Sequence, residues 1–70
     1  MIKYDRLWQQ LKSKNLTRYY LVRKKGLDWQ TIRRLEKNDI VRTSSLDKIC
    51  TVLNCDIEEI MQFIPPDKED

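Results

Sequence analysis

Residues 17–35 read TRYYLVRKKGLDWQTIRRL, and Gly26, the single glycine among seventy residues, falls in their middle. One glycine between two short segments of apolar residues at helical spacing leaves the chain few paths. Glycine takes positive φ without steric cost, so it ends one helix and turns the chain sharply into the next. Thr17 is placed to cap the first of these helices, its hydroxyl accepting a free backbone N–H, with Leu21 and Val22 directed inward. Asp28 caps the second, and Leu27 before it is placed to pack on Ile32 as a hydrophobic staple that sets the angle between the two.

The rest of the chain has the same periodicity. Apolar positions recur three and four residues apart rather than alternating, which predicts an all-α fold of five short helices. The first spans about Tyr4 to Lys14, with Leu7, Trp8 and Leu11 on one side and Asp5 near its start, where negative charge suits the helix dipole. The helix opened by Thr17 is the second, and the one opened by Asp28 is the third, running to about Lys37. After a loop from Asn38 to Arg42, Thr43 or Ser44 is expected to cap a fourth helix whose inward face is Leu46, Ile49, Cys50 and Leu53. Asp56 and Glu59 form a D-x-x-E capping box predicting a fifth helix, striped with Ile57, Ile60, Met61 and Ile64 and stopped by Pro65 and Pro66. Residues 1–64 are the expected domain, and 65–70 a flexible acidic tail that frays.

Seventy residues support one small domain that buries only about 60% of its unfolded surface. No apolar run nears the roughly 20 residues of a membrane span, and the first residues lack the apolar core of a secretory leader, so a cytoplasmic protein is expected. Two cysteines, Cys50 and Cys55, and no histidine cannot build a four-ligand zinc site or a disulfide framework, so two reduced, partly buried thiols are expected, with no metal and no cofactor.

The net charge of +3 conceals an uneven distribution. Residues 1–45 hold twelve Lys or Arg against four Asp or Glu, a balance of +8, and residues 46–70 hold two against seven, a balance of −5. The basic part suits a polyanion, although a solvated exterior accounts for the same charge.

On a wheel at about 100° per residue, Ile32 and Leu35 mark the buried side of the third helix. Gln30, Arg33, Arg34 and Lys37 lie within about 50° of the opposite direction. An α-helix fits the major groove of double-stranded DNA, where Arg bonds guanine O6 and N7 and Gln bonds adenine N6 and N7. Arg18, near the start of the second helix, is placed to hold a phosphate, and Arg42, with Asn38 and the start of the fourth helix, to meet the sugar-phosphate backbone. Glu36 among the basic residues fits a hydrated face equally well. Trp29 lies about 90° from the buried direction, where its ring either contacts a thymine methyl or sugar edge or covers the margin of the core. Tyr19 and Tyr20 read as packing residues with wet hydroxyls.

Without histidine, acid–base chemistry would fall to Asp, Glu, Lys or Tyr, and no paired carboxylates occupy a recognisable pocket sequence; Glu58 and Glu59 are accounted for by helix capping. The chain is therefore expected not to be an enzyme. The alternative to DNA binding is a protein-interaction module, such as an antitoxin or antirepressor partner, using Trp29 and the apolar side of the fifth helix.

These residues resemble the Cro/phage-repressor-type (XRE-like) helix-turn-helix regulators from about Tyr4 to Ile64. Thr17-Arg18 stands where those proteins usually carry Thr-Gln, Leu21-Val22 where they carry Leu-Ala, Gly26 at the turn glycine, Leu27-Asp28 at the aliphatic residue and cap, and Ile32 with Leu35 at the inward pair. The stretch SSLDKICTVLNCDIEEIM is similar to the fourth and fifth helices of small, stand-alone bacterial members. The resemblance implies a compact five-helix lambda-repressor-like domain, often a homodimer, that acts as a transcriptional regulator, a repressor, with its helix-turn-helix at helices two and three. By position it implies base contacts from Trp29, Gln30 and Arg34, with Thr31 and Arg33 beside them, and a phosphate contact from Arg18. Three positions depart from the usual pattern. Val22 is larger than the common small residue, Trp29 is bulkier than the common polar one, and Arg18 replaces Gln.

Overall fold

In the computed structural model, which describes residues 1–68, four helices are joined by short connections and the two ends of the chain meet in a small sheet. Strand β1 (Ile2–Lys3) leads into α1 (Asp5–Ser13), α2 (Arg18–Lys25), α3 (Trp29–Glu36) and α4 (Thr43–Leu53), and β2 (Gln62–Phe63) returns to β1. Single 3-10 turns occupy Ile57–Glu59 and Pro66–Lys68. No helix among the described residues is long and apolar enough to cross a membrane. The tail expected to fray is described only as far as its 3-10 turn; Glu69 and Asp70 lie outside the described residues.

Each helix ends because one residue turns left-handed. Gly26 does so after α2 at φ 77°, and asparagines do so elsewhere: Asn15 after α1 (58°), Asn38 after α3 (57°) and Asn54 after α4 (52°). Asparagine tolerates this region better than other residues with a side chain. The six-to-one bond of a Schellman ending follows each asparagine, from Leu16 to Leu11 (2.8 Å), Asp39 to Arg34 (2.8 Å) and Cys55 to Cys50 (3.1 Å), while past Gly26 the Leu27 N–H reaches one residue further, to the Leu21 carbonyl at 3.3 Å. At the starts, Thr17 Oγ1 accepts from the Tyr20 N–H (3.2 Å) and Asp28 Oδ1 from the Thr31 N–H (2.7 Å), as expected. At α4 the expectation fails. Arg42 occupies the cap position with no side-chain bond, and Thr43 and Ser44 already lie within the helix.

Among the described residues the core is one cluster of eleven buried side chains. Tyr4, Leu7 and Leu11 come from the first helix and its cap, Leu21 from α2, Leu27, Ile32 and Leu35 from α3 and its approach, Leu46, Ile49 and Leu53 from α4, and Ile60 from the last turn. Leu27 and Ile32 share this cluster, consistent with the staple. Trp8, Tyr20, Val22, Cys50 and Cys55 pack on its margin, and both cysteines are free thiols. Burial raises both thiol pKa values, so the thiols stay protonated near neutral pH. Tyr19 does not join the core; it is 57% exposed, with Arg23 over its ring.

The expected fifth helix does not form, and the fold is therefore mostly helical with a two-stranded sheet rather than all-α. Its local signal is present: the Glu59 carboxylate accepts from the Asp56 N–H at 2.8 Å, part of a capping box. The segment then makes one 3-10 turn, inserts Ile60 into the core and extends. A helix of about two turns between Asp56 and Pro65 has little stability of its own, and Pro65 favours extended backbone at Ile64. The other end of the chain supplies a better partner. Ile2 pairs with Phe63 and Lys3 with Gln62 in antiparallel register, the Ile64 N–H donates to the Met1 carbonyl at 2.8 Å, and the terminal ammonium donates to the Ile64 carbonyl at 2.7 Å.

Two substitutions test this account. A Cβ at Gly26 would meet nothing within 4 Å, so Gly26→Ala carries only the left-handed backbone penalty, about 1–2 kcal/mol by denaturant unfolding, while Gly26→Asn recovers part of it. Ile60→Ala, which leaves a cavity in the core, costs about 2–5 kcal/mol by the same measurement. A loss below about 1 kcal/mol would place Ile60 on a surface helix instead.

Candidate nucleic-acid interface

An eight-residue helix is about 12 Å long, so α3 has barely two turns and is positioned by its surroundings. Ile32 and Leu35 are completely buried and fix its inner face. Gly26 and the Asp28 cap set its start. Its end is tied to the first helix, because Asn38 Oδ1 accepts from the Tyr4 N–H at 2.9 Å. Asn38 thus commits its amide oxygen to the fold.

With the inner face fixed, Gln30, Arg33, Arg34 and Lys37 are all exposed on the outside, Thr31 is half-buried and Trp29 is 44% exposed. The indole is thus closer to a surface group than to a cover for the core. Gln30, Thr31 and Arg34 do not stand alone. They line a cleft of about 310 Å³ with Arg42, Ser44 and Lys48 from the start of α4. No side chain caps α4, and while the Ser45 N–H is taken by the Arg42 carbonyl at 3.0 Å, the N–H groups of Thr43 and Ser44 before it are left to solvent or to an anion.

The same neighbourhood acts on Asp28. Its carboxyl is held below its ordinary value of 3.8 mainly by its bonds to Thr31, which outweigh an opposing effect of desolvation, with lesser contributions from the positive charges of Arg34 and Arg42. Two cations from separate elements therefore converge on the start of α3. Arg33 and Lys37 are exposed but lie outside this cleft.

Arg18, the residue expected to hold a phosphate, is exposed but already has neighbours. Its guanidinium lies 4.2 Å from the centre of the Trp8 ring, and its Nε is 3.4 Å from Glu36 Oε2, at the last residue of α3. Lys48 was not identified from the sequence. The available signal was weak: it sits four residues after Ser44, on the same helical face, as the lone cation of α4. Among the described residues no three His, Cys, Asp or Glu side chains gather in a way that could hold a metal ion.

Residues 6–66 match the family model of the Cro/C1-type HTH DNA-binding domain. The chain belongs to this family. The crystal structure of the transcriptional regulator VanUg, form II, is similar to this Cro/C1-type domain with a TM-score of 0.85 at 31% sequence identity, covering 91% of this chain and 85% of that one. A search of curated proteins gave no significant match. The matched span includes α2 and α3, the pair that Thr17, Gly26 and Asp28 delimit.

The lowered carboxyl of Asp28 gives a pH dependence with a definite sign. A depressed native pKa stabilises the fold above the ordinary value, and that contribution is lost as pH falls through and below 3.8. Thermal unfolding of Asp28→Asn is expected to show a smaller fall in Tm between pH 5 and pH 2.5 than wild type. Parallel curves would exclude Asp28 as a contributor.

Proposed function

We propose that this Cro/C1-type domain is a sequence-specific regulator of transcription, a repressor, that reads the major groove of double-stranded DNA with α3. The observation that carries the proposal is the shared cleft: Gln30 and Arg34, suited to base edges, open onto the same space as Arg42, Lys48 and the uncapped start of α4, which suit phosphate. Trp29, Thr31, Arg33 and Lys37 extend the base-reading face, and Arg18 takes a phosphate at the other end of α3. The similarity to VanUg, a transcriptional regulator, supports the same role. Repression follows from occupying a promoter. A two-fold homodimer would read half-sites about 34–36 Å apart. Residues 1–64 carry this activity, 65–70 serve as a tail, and the place of action is the cytoplasm.

The rival reading, a protein-interaction module, drew on Trp29 and an apolar stripe along a fifth helix. That stripe is not assembled, because Ile60 is buried while Ile57 is 48% exposed, with Met61 and Ile64 half-buried. Trp29 remains, on the face that also carries Gln30 and Arg34.

Selection from a random duplex library tests the reading directly, since it returns a motif, its symmetry and its spacing. Anisotropy titrations then separate the roles. Arg34→Ala is expected to lose about 1–3 kcal/mol on the selected site and little elsewhere, whereas Arg42→Ala and Lys48→Ala weaken all duplexes and each lower the salt slope by about 1. No selected motif, or wild-type binding that ignores salt, would sink the proposal.

A further inference from the structure

Arg18 is held on two sides before any DNA arrives. The Trp8 indole covers one face of the guanidinium, at 4.2 Å from the ring centre to Cζ, and Glu36 takes the Nε side at 3.4 Å. The outer Nη1 and Nη2 edge is left as a donor fork. Arg18 and Glu36 keep 46% and 43% of their side chains exposed, so the fork is reachable and the ion pair is not a buried structural bridge. The three residues also join separate elements. Trp8 lies on α1, Arg18 opens α2 and Glu36 ends α3, so the clamp ties the phosphate-facing end of α2 to the end of the reading helix.

We infer that Trp8 and Glu36 are positioning residues that hold Arg18 with its Nη edge presented to one backbone phosphate of the bound duplex. The inference rests on the DNA-binding reading above and adds two residues to it, one of them an acid on the DNA-facing side. A free arginine loses rotamer freedom on binding, and a planar fork held in place loses less. Phosphate takes such a fork through two parallel bonds. Glu36 therefore acts in two opposed ways: its charge repels DNA, and its contact orients the cation nearest to it. At exposed positions the repulsion is weakened by water and salt, while the orientation depends on contact and is not screened in the same way.

This opposition gives a result that neither a solvated acid nor a purely structural one produces. Glu36→Gln removes an anion, which by charge alone tightens binding to every duplex and steepens the salt slope. With the clamp, Glu36→Gln weakens binding in the wild-type background, by about three- to tenfold, and tightens it in the Arg18→Ala background. Trp8→Leu weakens binding by a similar factor and Trp8→Phe restores most of it, because an aromatic face is kept. Tm is followed for every variant. An independent measurement needs no DNA: the Arg18 Nε–H signal in a proton–nitrogen spectrum is expected to be displaced by the Trp8 ring current, and to return toward that of a free arginine in Trp8→Leu. Glu36→Gln that tightens binding equally in both backgrounds, or an Arg18 signal identical in wild type and Trp8→Leu, overturns the clamp. Wild-type protein that binds no duplex overturns the DNA reading itself, and the inference falls with it.

Discussion

A helix of two turns in water cannot maintain itself, because nucleation costs more than its few hydrogen bonds return. The presentation of α3 therefore depends on how it is held. Ile32 and Leu35 pull one side into the core, the Asp28 carboxylate satisfies an N–H at its start, and Asn38 joins its end to the backbone of Tyr4. Gly26 makes these compatible, since its left-handed turn sends the chain from α2 into α3 with no residue spent on a longer loop. The outward direction of Gln30 and Arg34 is a consequence of this inward anchoring.

What could be read without coordinates was what is local. Thr17, Gly26 and Asp28 act within three or four residues of themselves, and their roles follow from side-chain chemistry and spacing alone. The three asparagine endings were equally local and carry the same meaning as the glycine, but asparagine is ambiguous in sequence because it also serves in loops and at helix starts. The fifth helix shows the opposite case. Its capping box is real, but the alternative that wins is a pairing of Ile2 with Phe63, more than sixty residues away, which no helical periodicity registers. Helix patterns predict what a segment does in isolation, and here a tertiary partner replaced it.

The interface divides along the same line. A helical wheel separates Gln30, Arg33, Arg34 and Lys37 from Ile32 and Leu35, because that separation belongs to α3 alone. It does not place Arg42 and Lys48 beside Arg34, nor Trp8 and Glu36 around Arg18, because those neighbours come from different helices. Arg18 is the clearest instance. As a sequence position it is a cation near a helix start, and only packing of α1, α2 and α3 decides which of its edges is open.

Charge follows position in space more closely than position in the chain. The acidic part of the sequence contributes Lys48 to the cationic cleft, while Glu58 and Glu59 line a separate cleft with Arg6, Gln9 and Ser13 against α1, where Arg6 also donates to the Glu58 carbonyl at 2.8 Å. These two acids thus lie against α1, and cations gather around both ends of α3. Such a separation directs an approaching polyanion toward one side of the molecule, with a strength that falls as salt shortens the range of the field. Asp28 at the start of α3 and Glu36 at its end are exceptions, and the contact of Glu36 with Arg18 sets the local arrangement apart from a uniformly basic surface.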